Sequence, residues 1–247
     1  MKSNQILSIW GSPSSGKTVT SIKIAKELSV KKKNVIVIHT DIYAPAIMTV
    51  LPAIKMEEKS LGKLLAEPEL TQEKILKNLI TLKHNEYISF LGYGNGENKY
   101  TYAEYTEEKV IDFIILLRHL ADYIILDCSS IITEDLLTVT ALEMADRVLR
   151  LSTCDLKGVS YMRSYLPLLA DSKFNLDKHI RVLVNTNDSP LKSEITESLS
   201  GIDLYIPYAK ELTDQFINCE LLDELGAKAS KPYQEAIHKI LKGVFDE

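Results

Sequence analysis

The sequence predicts a three-layer, doubly wound α/β fold with helices on both faces of a mainly parallel sheet. Short apolar, β-branched runs alternate with helical patterns, which is the order of β-α-β units. Runs such as Val35 to Ile38 and Tyr123 to Leu126 are apolar throughout, as strands buried on both faces are. The predicted strands are Gln5 to Trp10, Asn34 to Thr40, Tyr87 to Leu91, Tyr123 to Asp127, Arg147 to Ser152, Ile180 to Asn185 and Leu204 to Ile206.

Length and charge narrow the class of protein. The 247 residues suffice for one large α/β domain or two small ones, and one domain over residues 1–247 is the preferred interpretation. Hydrophobic residues make up 45% and charged residues 26%, which are the proportions of a soluble protein with a packed core. The net charge of -5 gives no overall attraction to nucleic acid or anionic lipid, and the sequence contains no specific nucleic-acid motif.

Cysteine usage and hydropathy favour a cytoplasmic protein. Cys128, Cys154 and Cys219 form no C-x-x-C pair, so neither a disulfide framework nor a zinc site is expected. The first residues lead into a short strand rather than a signal-peptide core, and no apolar run is long enough to cross a bilayer. Any membrane contact is therefore expected to be peripheral.

One segment near the start of the chain has the pattern of a phosphate-binding loop. Residues 11–18 read G-S-P-S-S-G-K-T and lie between a predicted strand and a predicted helix, Val19 to Ser29. Triphosphate oxygens need several inward-pointing N–H groups, and a loop over a helix N-terminus supplies them with the positive end of the helix dipole. The predicted nucleotide-binding residues here are Gly11, Ser12, Pro13, Ser14, Ser15, Gly16, Lys17, Thr18 and Val19.

Individual residues of this loop have separate predicted roles. Gly11 and Gly16 permit the backbone angles that the loop needs, Lys17 reaches the β and γ phosphates, and the Thr18 hydroxyl ligates Mg²⁺. The sequence therefore predicts a P-loop nucleotide hydrolase that uses ATP and Mg²⁺.

Two aspartates follow predicted strands, where phosphoryl transfer needs acidic groups. Asp127 ends an apolar strand and is the predicted metal-side carboxylate; the segment after it, 128–130, is a candidate sensor of the γ-phosphate. Asp41 ends another strand and begins a candidate switch segment. Either aspartate could instead cap the next helix.

With these motifs the chain resembles the MinD/ParA family of P-loop ATPases, which includes relatives that position pilus and secretion machinery. The matching segments are Gly11 to Thr18, Asp41, Asp127, Val182 to Asn185 and Tyr205 to Tyr208. The resemblance implies that Asp41 aligns the hydrolytic water, that Asp127 is the metal-side carboxylate, and that Asn185 and Pro207 belong to the adenine site. It also implies a homodimer that forms with ATP and separates after hydrolysis.

The phosphate loop departs from that family at one position. The family's deviant loop carries a second lysine just after the first glycine, where this chain has Ser12. Pro13 removes a backbone donor, so the N–H groups that bind the phosphates are expected to come from Ser14 to Thr18. Hydrolysis is then slow, or the missing charge comes from another residue or a partner.

Base recognition has two interpretations. Residues 185–188 read N-T-N-D, the N-x-x-D spacing by which many GTPases hold guanine, but Thr186 replaces the usual lysine. ATP is therefore favoured over GTP.

Two further segments have a structural and a functional interpretation. Residues 92–105 contain three glycines and four tyrosines and predict a loop with exposed aromatic rings, either a plain surface loop or a partner-binding switch. An apolar stripe in the tail, at Ile237, Ile240, Leu241, Val244 and Phe245, predicts a helix that packs on the core, with membrane docking as the alternative.

The leading functional hypothesis is an ATP-hydrolysing switch that positions or assembles an unidentified partner protein. One alternative is a metabolic P-loop enzyme, such as a small-molecule kinase or an ATP-dependent ligase. The others are a nucleotide-locked scaffold that scarcely hydrolyses ATP, and a GTPase.

Overall fold

The computed structural model describes residues 5–52, 59–186 and 191–245, and within them one sheet of eight strands. The strands are β1 (Gln5–Gly11), β2 (Val35–His39), β3 (Ile80–Leu82), β4 (Asn85–Gly92), β5 (Tyr123–Asp127), β6 (Arg147–Thr153), β7 (His179–Val184) and β8 (Leu204–Ile206). Their order across the sheet is β3-β4-β2-β5-β1-β6-β7-β8. All seven predicted strands are present, with bounds that differ by a few residues at most.

The strand that was not predicted is β3, which is also the one that makes the sheet mixed. It pairs antiparallel with β4, whereas the other neighbouring pairs are parallel. With three residues at the edge of the sheet, β3 is too short to produce a periodic pattern.

Helices cover both faces of the sheet. They are α1 (Lys17–Val30), α2 (Ile47–Val50), α3 (Leu61–Ala66), α4 (Gln72–Asn78), α5 (Glu107–Arg118), α6 (Leu136–Met144), α7 (Leu156–Tyr165), α8 (Lys192–Ser198), α9 (Lys210–Ile217) and α10 (Lys231–Phe245). Short 3₁₀ turns lie at Leu166–Leu169, Ser172–Phe174, Leu176–Lys178 and Lys228–Ser230.

Successive residues of each central strand enter opposite cores, because side chains alternate across a sheet. Ile6 and Trp10 of β1 pack with helices α3 to α8, whereas Leu7 and Ile9 pack with α1, α2, α9 and α10. The predicted three-layer, doubly wound architecture is confirmed. The extent of a single domain over residues 1–247 stays a prediction.

The tail helix packs on the core, as predicted. The five residues of its apolar stripe are buried in the same core as α1, and the Phe245 ring lies 4.6 Å from that of Tyr123. The apolar stripe is therefore covered by protein in this structure. Across the described ranges, no helix combines the length and the hydropathy that a membrane span needs.

A buried lysine ties α1 to α9. Lys23 donates to the side-chain oxygen of Gln215 at 2.6 Å and to the carbonyls of Leu221 and Asp223, each at 2.7 Å. Burial lowers its pKa to about 8. The ammonium has three donors and three acceptors, so its hydrogen bonds fix α9 and the segment after it against α1.

The tyrosine-rich segment is a loop, but the prediction that its rings are exposed was wrong. Only Tyr100 is largely exposed; Tyr93 is buried and its hydroxyl lies 3.1 Å from that of Tyr105. Glu97 organises the loop, since it accepts from the Tyr102 hydroxyl and from the backbone N–H of Gly94. The aromatic rings are therefore used mainly to pack the loop against the domain.

The start of α6 contains a buried carboxyl group. Asp135 caps the helix by accepting from the backbone N–H and from the hydroxyl of Thr138, at 3.1 and 2.8 Å. Burial raises its pKa to about 6, and its two hydrogen bonds with Thr138 only partly offset that effect.

We expect this carboxyl to make the stability depend on pH. The pKa of Asp135 is about 6 in the folded protein, above its value in the unfolded chain. As pH rises from about 4 to about 6, Asp135 therefore loses its proton in the unfolded chain but keeps it in the folded protein, and the free energy of unfolding falls. Relative to Asp135→Asn, the wild type should lose on the order of 2 kcal/mol across that range, as measured by urea unfolding.

Asp155→Asn, the same exchange at the exposed N-cap of α7, controls for altering a capping residue. If the free energy of unfolding changes in parallel for Asp135→Asn and the wild type between pH 4 and 7, Asp135 is not the source of the pH dependence.

Candidate functional site

The predicted site residues lie at the carboxyl end of the sheet. Strands β1, β5 and β2 are parallel neighbours, so the phosphate loop, Asp127 and Asp41 follow strand ends at one edge. Strands β7 and β8 bring Asn185 and Pro207 to the same edge. In open α/β sheets this edge is where ligands bind.

The loop between β1 and α1 passes close to β6. A Cβ at Gly11 would lie 1.9 Å from the carbonyl oxygen of Leu151, so only glycine fits there. Gly16 precedes α1 in the left-handed region, at φ 72°, and α1 has no side-chain cap. The first N–H groups and the positive dipole end of α1 are therefore not capped by a side chain.

Lys17 projects into the cavity behind this loop. Its ammonium donates to the Ser130 hydroxyl at 2.6 Å and is 3.5 and 3.4 Å from the carbonyl oxygens of Gly11 and Ser12. Burial lowers its pKa, and the carboxylate of Asp127 opposes this effect. An anion beside this ammonium would stabilise its charged form.

Thr18 and Asp127 are in direct contact. The Thr18 hydroxyl lies 2.7 Å from Asp127 Oδ2, and His39 Nδ1 lies 2.8 Å from the same oxygen. Asp127 Oδ1 is buried and has no partner among the described residues. Asp135, rather than Asp127, caps the following helix. A hydroxyl and a free carboxylate oxygen are hard donors that suit Mg²⁺, so these residues fit the predicted cation.

Asp41 lies in the wall of the cavity and also holds its own turn. Its Oδ1 accepts from the backbone N–H groups of Tyr43 and Ala44, at 2.9 and 3.0 Å. It does not cap α2, whose N-cap position is Ala46. Alignment of a water molecule by Asp41 stays a prediction.

Ser12 has its side chain against β6 rather than in the cavity. Its Oγ accepts from the backbone N–H of Thr153 at 3.2 Å, and the residue is buried. Gly11, Ser12 and Pro13 are not part of the cavity wall, whereas Ser14 to Val19 are. The position of Ser12 thus offers no cation to the site.

A cavity of about 780 Å³ joins the phosphate loop to the ends of β7 and β8. Its wall contains Ser14, Ser15, Gly16, Lys17, Thr18, Val19, Asp41, Pro45, Asn95, Asp127, Asn185, Pro207, Tyr208, Leu212, Thr213 and Phe216. One end is polar and the other is largely apolar, which suits a phosphorylated ligand with a flat base. The second half of the N-x-x-D pattern, Asn187 and Asp188, lies outside the described residues.

Three contacts at the site were not predicted from the sequence. The predicted sensor segment contributes Ser130, whose carbonyl accepts from the Tyr161 hydroxyl at 2.5 Å. Asn95, from the tyrosine-rich loop, reaches the cavity wall. His39, which ends an otherwise apolar strand, is bonded to the site residue Asp127. None of these contacts has a local sequence signal, because each joins segments that are distant in the chain.

The chain matches one known family. The model of a family described as an AAA domain (AAA_31) matches residues 11–182, and no curated protein sequence matches the chain.

Three solved structures share the fold over nearly the whole chain. A ParA family ATPase from Chlorobium tepidum TLS is 16% identical, with a TM-score of 0.78, over 96% of this chain and 98% of that one. MinD complexed with Mg-ADP from Pyrococcus horikoshii OT3 is 15% identical, with a TM-score of 0.73, over 98% and 96%. A chain of the MinC:MinD cell division protein complex of Aquifex aeolicus is 18% identical, with a TM-score of 0.75, over 96% and 95%.

The family model covers most of the chain, and the sequence resemblance to the MinD/ParA ATPases is confirmed. The chain therefore belongs to the AAA_31 family of AAA domains and has the fold of the MinD and ParA proteins.

Proposed function

We propose that the chain binds ATP with Mg²⁺ in this cavity and hydrolyses it, so that its nucleotide state controls the position or assembly of a partner protein. The observation that carries the proposal is the convergence of Lys17, Thr18 and Asp127 at the uncapped start of α1. The similar fold of MinD complexed with Mg-ADP supports the choice of ligand.

Each residue of the constellation has a defined task in this proposal. The Lys17 ammonium, now bonded to the Ser130 hydroxyl, neutralises phosphate oxygens. The Thr18 hydroxyl donates its hydrogen to Asp127 and keeps its lone pairs for the cation. Mg²⁺ would contribute neutralisation of the charge that develops on the phosphates. Asp41 orients the attacking water, and Asn185 and Pro207 hold the adenine.

We infer that hydrolysis is slow. The Ser12 side chain is bonded to β6, and Lys17 is the only lysine or arginine among the described residues of the cavity wall. Without a second cationic side chain the charge of the transition state is less well stabilised, which costs orders of magnitude in rate. The same observation favours a second candidate function, a nucleotide-locked scaffold.

The proposed output is an ATP-dependent homodimer that engages another protein. Its support is the family resemblance, together with the likeness to a chain of the MinC:MinD complex.

Removal of the loop lysine should weaken nucleotide binding. A hydrogen bond to a charged group contributes about 1.5–3 kcal/mol, so Lys17→Ala should weaken ATP binding by roughly 10- to 100-fold or more. Isothermal titration calorimetry with ATP and Mg²⁺ measures this, and a parallel titration with GTP should give weaker binding.

Lys26→Ala, on the same helix but away from the cavity, is the matched control and should bind like the wild type. Wild-type protein that takes up neither nucleotide would remove the proposed function.

Asp41 should be needed for hydrolysis but not for binding. Asp41→Ala should reduce the rate of phosphate release by about 100-fold or more, as loss of a group that activates water does, with little change in ATP affinity. Asp41→Asn keeps an oxygen that can hold the turn of Tyr43 and Ala44 but lacks the charge, so it should also be slow.

If Asp41→Asn releases phosphate at the wild-type rate while Asp41→Ala is slow, hydrolysis requires the turn that Asp41 holds and not its carboxylate. A wild-type rate no greater than that of either variant would favour the nucleotide-locked scaffold.

The mass of the protein in solution should depend on the nucleotide. Size-exclusion chromatography with light scattering should give twice the monomer mass for Asp41→Ala with ATP and Mg²⁺, since this variant retains its triphosphate. The same variant with ADP, and Lys17→Ala with ATP, should remain monomeric. One mass under all three conditions would exclude the dimer switch.

A further inference from the structure

His39 lies at the end of β2 in a buried position beside the phosphate site. Its side chain is 1% exposed, and its ring is parallel to that of Phe90 with 6.2 Å between the centroids. His39 and Asp127 are paired in the register of β2 and β5, so their side chains leave the sheet on the same face as neighbours. The sheet itself therefore fixes their contact.

The hydrogen bond between them has one consistent direction. An ionised carboxylate has no proton to give, so His39 Nδ1 carries the hydrogen and donates it to Asp127 Oδ2 over 2.8 Å. The same oxygen accepts from the Thr18 hydroxyl at 2.7 Å. Two donors on Oδ2 hold the carboxylate in one rotamer.

The other carboxylate oxygen is left for a ligand. Asp127 Oδ1 is buried and unpartnered within the described part of the chain, and a buried carboxylate oxygen without a partner is costly. Thr18 has given its hydrogen to Asp127, so its oxygen can act only as an acceptor or a metal ligand. Both free acceptors belong to residues at the phosphate end of the cavity.

We propose that His39 is a positioning residue for the magnesium nucleotide: it fixes Asp127 so that Oδ1 and the Thr18 oxygen are preset for the cation. This inference rests on the proposed function. His39 itself touches neither the nucleotide nor the metal; it acts through Asp127, as the outer partners of metal ligands commonly do.

The alternative is that His39 only fills space between β2 and Phe90. Such a role would affect folding stability and would alter nucleotide binding to the same extent with and without Mg²⁺. A positioning role affects the part of the affinity that depends on Mg²⁺. The comparison of the two conditions therefore separates the roles.

Three substitutions make the experiment specific. His39→Leu replaces the imidazole with an apolar side chain and so removes the donor. In His39→Asn the amide nitrogen is as far from Cβ as Nδ1 is, so it can donate to Asp127 Oδ2. In His39→Gln the amide nitrogen corresponds to Nε2, which has no partner in the described structure.

The measurement is the dissociation constant of ATP, taken at one fixed pH in Mg²⁺ and in EDTA, with thermal unfolding of each variant beside it. His39→Leu and His39→Gln should lose about 10- to 100-fold in affinity in Mg²⁺, the usual effect of removing such a partner, and little in EDTA. His39→Asn should bind close to the wild type in both. In an Asp127→Asn background, His39→Leu should cause no further loss.

The proposal is overturned if His39→Leu binds like the wild type in Mg²⁺, if its loss is equal in EDTA, or if Asn behaves like Leu. Unfolding midpoints identify variants that fail to fold. If His39→Leu does not fold, the comparison of His39→Asn with His39→Gln decides between the two roles, since both variants introduce a polar amide. Wild-type protein whose ATP affinity is unaffected by Mg²⁺ would instead remove the proposed function, and the role of His39 with it.

Discussion

The parallel pairing of β1 with β5 and β6 is the constraint on which the site depends. The register places Ile9 beside Asp127 and Gly11 beside Leu151, so the phosphate loop leaves the sheet between two fixed strand ends. The close approach of Gly11 to the Leu151 carbonyl allows the loop to turn at once over the start of α1. The positions of Lys17 and Thr18 follow from this turn, because both belong to the first turn of that helix.

The site contains charges that the protein alone does not fully compensate. The ammonium of Lys17 is bonded to neutral oxygens, one oxygen of Asp127 has no partner among the described residues, and the start of α1 is uncapped. A ligand that carries an anion and a cation together relieves all of these at once. This is a physical reason for the proposed pairing of ATP with Mg²⁺, independent of any likeness to other proteins.

The sequence predicted those parts of the fold that have a local or periodic signal. Seven strands, the helix after the phosphate loop and the buried stripe of α10 each produce such a pattern within one segment. Strand β3 was missed because three residues give no period, and the burial of Tyr93 because a tyrosine-rich loop looks exposed from composition. The cap at Asp135 did have a local signal that could have been used, because an aspartate directly precedes the apolar start of α6.

Within the site, residue types were easier to predict than contacts. The motif and the resemblance identified Lys17, Thr18 and Asp127, whereas the bond between His39 and Asp127 depends on the register of two strands some 90 residues apart in sequence. No pattern within either strand defines that register, since both strands are apolar on both faces.

The bonds of Lys23 have a consequence for engineering the cavity. Helix α1 begins at the phosphate loop, and from its second turn Lys23 holds α9, whose Leu212, Thr213 and Phe216 are part of the cavity wall. Helix α1, through the hydrogen bonds of Lys23, therefore sets the position of α9 relative to the phosphate loop. Changes to the cavity wall along α9 must keep the Lys23 hydrogen bonds, because they hold that wall in position relative to the loop.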